Sequence, residues 1–211
     1  MKSNIESIYR MHDSFKIFQG DILRDVNVIV GYDENHKNFN EFFMEYIIIL
    51  SQDCDLEQDY NSYQKFLNFS NQFDLSDLDV NSCSKDEKTG ICSMYDKLLP
   101  SVLVCPAFPA KQLREGIHLN NFNNYVLPRI NSSNWKIVKN NQNSRYHFLR
   151  AYPEYQIPDL VIDFKRYYTL PTPYVYSVFN ESYVGSLNEL YRERVSQRFT
   201  NYLSRIGLPD K

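Results

Sequence analysis

Two short runs of bulky apolar residues constrain the fold of this chain more than any other feature. Residues 46–50 (Tyr-Ile-Ile-Ile-Leu) have no polar interruption, and residues 102–105 (Val-Leu-Val-Cys) form a similar run. Runs of this length are typical of strands that are buried on both faces, because a helix buried all round is usually longer. Pro106 follows the second run, and we expect it to end that strand because proline cannot donate to a strand ladder.

Further strand signals occur along the chain. Residues of high strand propensity cluster at positions 26–30, 135–138, 146–149 and 160–164. These segments do not alternate with long helical patterns, so a doubly wound parallel sheet is not expected. Several short strands with a single terminal helix predict a mainly β protein of the α+β class, built on a small β-barrel with additions.

The last part of the sequence has the clearest helix signal. Ser186 and Glu189 have the spacing of a capping box, in which each side chain bonds to the other residue's backbone amide. Apolar residues then recur at intervals typical of one helix face: Leu187, Tyr191, Val195, Phe199, Tyr202 and Ile206. With Gly207 and Pro209 as stop signals, an amphipathic C-terminal helix is predicted over residues 186–206.

The stretch between the two buried runs has no core pattern. Residues 57–99 are acidic in their middle part and have weak helical signals near residues 60–69. A connection of this length is typical of an insertion, and we predict that it is partly helical. The sequence has no internal repeat and no low-complexity linker, so residues 1–211 are interpreted as one domain.

Composition excludes several classes of protein. With 43% hydrophobic and 23% charged residues the chain is of ordinary globular type, and its net charge of −3 argues against indiscriminate nucleic-acid binding. It has no apolar run of the roughly 18 residues that a membrane span requires, and because its first residues are polar we expect no signal peptide. Four cysteines in 211 residues favour reduced thiols, so we expect a cytoplasmic protein with no membrane partner.

The least usual polar segment follows directly after the first buried run. It places Asp53, Cys54 and Asp55 at the end of a strand, where functional side chains often lie. Carboxylates and a thiolate can bind a metal, but no His-x-x-His or Cys-x-x-Cys spacing accompanies them, so no cofactor is predicted. A nucleophilic Cys54 would need a distant base, His118 or His147; the alternative is that the aspartates cap a turn beside a packed cysteine.

Four arginines are candidates for phosphate or partner contacts. Arg166 follows the predicted strand at residues 160–164, where it either holds a phosphate or forms a salt bridge with Asp163. The other three lie on one flank of the predicted C-terminal helix: Arg194, Arg198 and Arg205. They form either an edge that binds phosphate or a partner, or a solvated edge that is paired with neighbouring glutamates.

The order of several motifs resembles that of the PemK/MazF-type toxins. The motifs are Gln19-Gly20-Asp21-Ile22 at a strand start, Ile48-Ile49-Leu50-Ser51, Val102-Leu103-Val104-Cys105-Pro106 and Leu160-Val161-Ile162-Asp163. This resemblance implies an SH3-like barrel with a C-terminal helix, and cleavage of single-stranded or messenger RNA without a metal. Residues 51–56, 191–199 and 204–209 are also similar to a bacterial protein family that has no established activity.

Two departures from the toxin pattern bear on activity. Those ribonucleases place basic residues before the second core strand, where this chain has Phe43-Met44-Glu45. Arg166 matches the toxin arginine after the later strand, but residues 167–169 (Tyr-Tyr-Thr) lack the acidic partner expected there. A metal-free ribonuclease needs a base, an acid and a cation at the scissile phosphate, and the sequence offers a cation without a convincing base.

Three functional hypotheses follow. The first is an accessory or binding protein with a degenerate PemK/MazF-like barrel, in a toxin–antitoxin or phage-defence system, whose partner is another protein or RNA. The second is a metal-independent endoribonuclease in which Arg166 binds the phosphate and Asp53 or Asp55 is the base. The third is a thiol or metal site formed by Asp53, Cys54 and Asp55.

Overall fold

Eight strands form one antiparallel sheet in the computed structural model, which describes residues 7–32, 39–70, 96–120 and 126–205. The strands are β1 (Tyr9–Arg10), β2 (Asp21–Tyr32), β3 (Phe39–Ile49), β4 (Ser101–Pro109), β5 (Tyr146–Leu149), β6 (Leu160–Asp163), β7 (Tyr168–Pro171) and β8 (Tyr183–Leu187). Their order is β1-β8-β2-β3-β4-β6-β5, and β7 pairs with β4 beside this path. Within the described residues no pairing joins β1 to β5, so the sheet is open and is not a closed barrel.

Five helices accompany the sheet in the described segments, which confirms the predicted α+β class. They are α1 (Asp53–Ser70), α2 (Ala110–Glu115), α3 (Ser132–Lys139), α4 (Thr172–Ser182) and α5 (Glu189–Leu203). Helix α1 follows β3, α2 follows β4 directly, and α4 joins β7 to β8. Among the described residues, no helix is both long enough and apolar enough to cross a membrane.

Both faces of the sheet are covered, which explains the uninterrupted apolar run of β3. Ile47 and Ile49 belong to one hydrophobic cluster, which side chains of α1, α2 and α4 also enter. Ile48 belongs to a second cluster, together with Val195 and Phe199 of α5. Since alternate residues of a strand point to opposite faces, the two clusters lie on opposite sides of the sheet. All three isoleucines are at most 1% exposed, so the predicted burial on both faces is confirmed.

Strand β4 continues through Pro106, so the prediction that this residue ends the strand was wrong. Residues 101–104 pair with β7, residues 104–106 with β3, and residues 107–109 with β6. Pro106 therefore lies where the strand exchanges one neighbour for another, and the missing amide donor is tolerated there. The predicted run is the first half of a nine-residue strand.

Residues 135–138 belong to helix α3, so their prediction as a strand was also wrong. The helix begins after Asn131, whose side-chain oxygen accepts a hydrogen bond from the Asn134 amide at 2.9 Å. Val138 is then 2% exposed, in the hydrophobic cluster that also contains Phe148 of β5. The N-cap and this packing outweigh the strand propensity of tryptophan, isoleucine and valine.

The C-terminal helix begins at Glu189 and not at Ser186, because Ser186 is not its cap. Ser186 lies in β8, where its fully buried hydroxyl donates to the Asp21 carboxylate at 2.5 Å. The N-cap residue is Asn188, whose side chain makes no capping bond. The predicted apolar face is confirmed for residues 191–202, which pack on the second cluster, and Ile206 lies outside the described residues.

The connection that was predicted over residues 57–99 begins inside α1. This helix starts at Asp53, earlier than the predicted helical part, and continues to Ser70. Residues 71–95 lie outside the described part of the chain, so the prediction for that portion stays a prediction. Residues 96–100 then lead directly into β4.

Candidate functional site

Asp53, the first candidate catalytic residue, connects three parts of the chain. It is the first residue of α1, and its Oδ1 atom accepts a hydrogen bond from the Gln19 backbone amide at 2.7 Å. Its Oδ2 atom pairs with the guanidinium of Arg192 from α5. The Arg192 side chain is 14% exposed and that of Asp53 is 34% exposed, so solvent reaches this pair only in part. Asp53 therefore joins the turn before β2 to the start of α1 and to α5.

Neighbouring polar side chains complete this junction. The Ser51 hydroxyl accepts a hydrogen bond from the Leu103 amide of β4 at 2.8 Å. The side-chain amide of Gln19 donates to the Leu50 carbonyl at 3.0 Å in a buried position. Each bond satisfies a backbone group at the point where β3 leaves the sheet. These contacts favour the hypothesis that the segment has a structural role at a chain turn.

Cys54 and Asp55 are exposed on the first turn of α1, so the alternative of a packed cysteine was wrong. The Cys54 sulfur lies 3.6 Å from the Gln52 side-chain oxygen and 3.6 Å from an Asp55 carboxylate oxygen. In the described segments, no group of three or more His, Cys, Asp or Glu side chains is arranged to hold a metal ion. The contacts of Cys54 therefore give no specific support to a thiol or metal site.

Arg166 belongs to a second polar cluster, at the end of β6. Its Nε atom is 3.7 Å from an Asp163 carboxylate oxygen, so the predicted salt bridge at this strand end is present. Arg145 donates to the same carboxylate through two hydrogen bonds of 2.7 and 2.6 Å. The register of β5 and β6 pairs Tyr146 with Asp163, which brings Arg145 to this position. Two guanidinium groups thus share one fully buried carboxylate, and the group carries a net charge of one positive unit.

The structure does not bring Asp53 and Arg166 together. Ile49 of β3 and Tyr168 of β7 both pair with Val104, from the two sides of β4. Both strands run antiparallel to β4, so they point in the same direction. Asp53 follows Ile49 in the chain, whereas Arg166 precedes Tyr168, so the two side chains lie beyond opposite ends of this part of the sheet. The carboxylates of α1 and Arg166 therefore do not form a shared site.

His118, which the sequence offered as a distant base, lies near the Asp163 cluster. It is 6% exposed, and neither ring nitrogen has a hydrogen-bond partner within the described residues. Burial lowers the pKa of His118 to about 4; the Asp163 charge opposes this shift, and Arg166 and Arg145 add to it. His118 is therefore neutral near pH 7, with one protonated and one unprotonated ring nitrogen, both buried.

His118 also lines a cavity of about 380 Å³ between α2, α3 and β5. Apolar side chains form most of its wall: Leu113, Leu127, Pro128, Ile130, Ile137 and Val138. Polar groups are contributed by His118, Asn134, Asn143 and Tyr146. This volume falls at the small end of the range of about 300–1,000 Å³ that is usual for ligand pockets.

Four exposed apolar side chains of the described residues lie in the wall of this cavity or directly before a wall residue in the chain. Leu127 and Ile137 line the cavity and are 37% and 39% exposed. Ile117 directly precedes the wall residue His118 in the chain, and Val126 directly precedes Leu127. They are 47% and 65% exposed. Lys136 and Lys139 are also exposed on α3, but at about 3.6 residues per turn they lie on the side of the helix that is turned away from the cavity. A cavity with exposed apolar residues at its wall is typical of an interaction site.

The three arginines of the C-terminal helix do not act as one edge. Arg198 donates to three backbone carbonyls in the segment from α3 to β5, at 2.5, 2.5 and 3.0 Å. Arg194 is exposed, and Arg205 is exposed with its guanidinium 5.7 Å from the Tyr202 ring centre. Arg198 is therefore a structural residue, and the prediction of a phosphate-binding edge is left with Arg194 and Arg205.

Comparison with known proteins assigns no role to these residues, because no family model, curated protein or solved structure matches the chain. Sequence reasoning missed the cavity because it forms only when α2, α3, β5 and the loops between them pack together, which the sequence pattern does not show. The alternation of Arg145 and His147 along β5 is a signal of one shared strand face, but it does not identify Asp163 as the partner of Arg145.

Proposed function

We propose that this chain is a binding protein, and that its partner inserts an aromatic side chain into the cavity at His118. The observation that carries the proposal is a largely apolar cavity with exposed apolar residues at its wall. Its one buried imidazole has no hydrogen-bond partner within the described residues. Hot spots of protein interfaces have this form, with an aromatic anchor in a desolvated pocket.

The chemistry of the cavity defines the partner further. A tyrosine or tryptophan side chain combines a large apolar body with one polar group, which needs a hydrogen-bond partner when it is buried. The Asn134 amide lines the cavity and can supply that partner, while the His118 ring forms part of the wall. Lys136 and Lys139, which are exposed on the far side of α3, add positive charge to this part of the surface and so favour an acidic partner. The expected partner is therefore an acidic protein segment with a central aromatic residue.

The degenerate PemK/MazF-like barrel is part of the same proposal. Strand β8, the last strand of the described residues, returns to pair with β2, the first long strand among them. In a small β-barrel a late strand pairs with an early strand to close the sheet. The pairing of β8 with β2 therefore supports our interpretation of the fold as an open form of the SH3-like barrel. The resemblance to those toxins also suggests the setting, a toxin–antitoxin or phage-defence system in which this chain has an accessory role.

Calorimetric titration with three acidic pentapeptides tests the proposed binding. The peptides carry tryptophan, tyrosine or alanine at the centre and are otherwise identical, so their comparison isolates the aromatic anchor. Ile137→Glu places a charge in the cavity wall and should abolish binding of the tryptophan peptide. Leu190→Glu is the matched control, because Leu190 is 69% exposed on α5 and the charge change is the same. Equal affinity for all three peptides, or normal affinity of Ile137→Glu, contradicts the proposal.

A second candidate function is RNA cleavage, and one observation favours it. His118 lies in the electrostatic field of Arg145 and Arg166, so a neutral imidazole and two cations occur in one region. However, a general base works best when its pKa is near the working pH, and the pKa of His118 is about 4. Cleavage of single-stranded RNA in EDTA that is lost in Arg166→Ala would establish this function instead.

A further inference from the structure

A second cavity, separate from the one at His118, lies between α1 and α4. Its volume is about 260 Å³, and Leu99 and Pro173 form part of its apolar wall. Tyr63 of α1 and Tyr176 of α4 also line it. Asp59 contributes a carboxylate to this otherwise largely apolar lining. The cavity therefore combines aromatic rings, aliphatic surface and one acidic group.

Asp59 is buried without a cationic partner in the described segments. The residue is 3% exposed, and its Oδ1 atom accepts a hydrogen bond from the Leu99 amide at 2.8 Å. Among the described ion pairs, none includes Asp59. Burial raises the pKa of Asp59, and the Leu99 amide and the Tyr176 hydroxyl act in the opposite direction. A buried carboxylate of this kind is costly unless a cation compensates it.

Tyrosine side chains surround this carboxylate. Tyr63 follows Asp59 by one helical turn, so both lie on the same side of α1. Burial raises the pKa of Tyr176, and the neighbouring Asp59, Tyr60 and Tyr63 add to that shift. The Tyr176 hydroxyl is buried close to Asp59 and opposes the rise that burial causes in the pKa of that carboxyl. Asp59 and Tyr176 thus meet in the wall of the cavity, where the carboxylate has no cation among the described residues.

We propose that this cavity binds an organic cation, an alkylammonium group. Asp59 supplies the countercharge, and the ammonium donates to its carboxylate. Tyr63 and Tyr176 add the attraction of aromatic rings for a cation, and the apolar wall receives the alkyl part. A metal ion fits less well, because calcium and magnesium require several oxygen ligands and the cavity offers one carboxylate in an apolar lining.

The alkylammonium group has two possible sources, a free amine and the lysine side chain of another protein. The probes that separate them are n-butylammonium and the amide of Nα-acetyl-lysine, which keeps its side-chain ammonium. Both are titrated at constant ionic strength. Tighter binding of n-butylammonium indicates a free amine, and tighter binding of the lysine derivative indicates a protein side chain. The neutral control is n-butanol, which has the same alkyl chain without the charge. Either cation must bind at least about tenfold more tightly than n-butanol, because the site is built around a carboxylate.

Variants of α1 make the test specific. Asp59→Asn keeps the shape and an oxygen acceptor for the Leu99 amide, and it should weaken cation binding about tenfold or more. Tyr63→Phe keeps the ring and should leave affinity within about twofold, whereas Tyr63→Ala should weaken it several-fold. Asp55→Asn, at an exposed position of the same helix, is the control for the loss of one negative charge. Unchanged affinity of Asp59→Asn with a normal melting curve, or equal binding of n-butanol, overturns the proposal.

Discussion

Arg192 of α5 pairs with Asp53 at the start of α1, across 139 positions of the sequence. The same carboxylate accepts the Gln19 amide from the turn before β2. The junction therefore links three segments that pack at one end of β3. Asp53, a candidate catalytic residue in the sequence, therefore makes contacts in the structure that connect separate segments of the fold.

Loss of this pair should destabilise the protein. Arg192→Ala leaves a partly buried carboxylate with one partner fewer, so we expect a loss of about 1–2 kcal/mol in the free energy of unfolding. Urea unfolding measures this loss. Arg194→Ala is the control, because Arg194 is exposed two positions later on the same helix and so points away from the pair, and we expect a change within about 0.5 kcal/mol. Equal effects of the two substitutions would show that the Asp53 pair has no special role.

Arg198 should affect stability and not phosphate binding. Its guanidinium donates to three backbone carbonyls, so Arg198→Ala leaves several acceptors unpaired and should cost about 2–3 kcal/mol. Arg198→Lys should recover only part of this, because an ammonium cannot reproduce the planar fork of donors. Thermal melting checks this prediction: the melting temperature should be highest for the wild type, lower for Arg198→Lys and lowest for Arg198→Ala. A wild-type melting temperature for Arg198→Ala would contradict the structural role.

Gly116 should be intolerant of a side chain. It caps α2 with a φ of +80°, and a Cβ atom there would lie 2.0 Å from the Leu127 carbonyl oxygen. Gly116→Ala therefore combines an unfavourable backbone conformation with a clash, and we expect a loss of more than about 2 kcal/mol. Urea unfolding measures the loss in the free energy of unfolding. The control is Lys111→Ala, at an exposed position of the same helix. Because Leu127 lines the His118 cavity, the alanine variant should also bind the tryptophan peptide more weakly.

Stability should fall as the pH decreases from about 6.5 to 4. The pKa of His118 is lowered from 6.5 to about 4 by burial, so the unfolded chain takes up a proton in this range and the folded chain does not. The free energy of unfolding then decreases by up to about 1.4 kcal/mol per pH unit for this histidine. His147, whose pKa is lowered to about 3 by burial and by Arg198 and Arg194, adds a similar dependence.

His118→Phe isolates the contribution of the first histidine. Phenylalanine keeps a ring beside Phe108 and cannot be protonated, so the slope of stability against pH should become smaller while that of His147 persists. Urea unfolding at several pH values between 4 and 7 gives the slopes. Identical slopes for the wild type and His118→Phe would mean that His118 is not buried in its neutral form.

The fold was predictable where side-chain pattern alone decides the structure. The three consecutive isoleucines of β3 indicate a strand that is buried on both faces. The strands predicted at residues 146–149 and 160–164 are present at residues 146–149 and 160–163. Helix α4 follows Pro171 and is rich in aromatic and β-branched residues, so its local preferences do not distinguish it from a strand. The exchange of strand partners around Pro106 depends on three separate strands, and no local pattern encodes it.

The site was less predictable because its contacts are between distant segments. The Asp163–Arg166 pair lies within one turn of chain and was anticipated as a salt bridge. Arg145 reaches the same carboxylate only through the register of β5 and β6, which a single sequence does not reveal. His118 carries no local signal, since packing against other segments leaves its ring nitrogens without hydrogen-bond partners among the described residues.

An RNA cleavage assay decides most directly whether this protein binds or cuts. A mixed-sequence single-stranded RNA is incubated with the wild type in EDTA and in Mg²⁺, beside Arg166→Ala and His118→Asn. Because the candidate carboxylates and Arg166 lie apart, and Arg166 shares a buried carboxylate with Arg145, we predict intact RNA in every condition. Cleavage by the wild type in EDTA that Arg166→Ala loses would contradict this account and identify a ribonuclease.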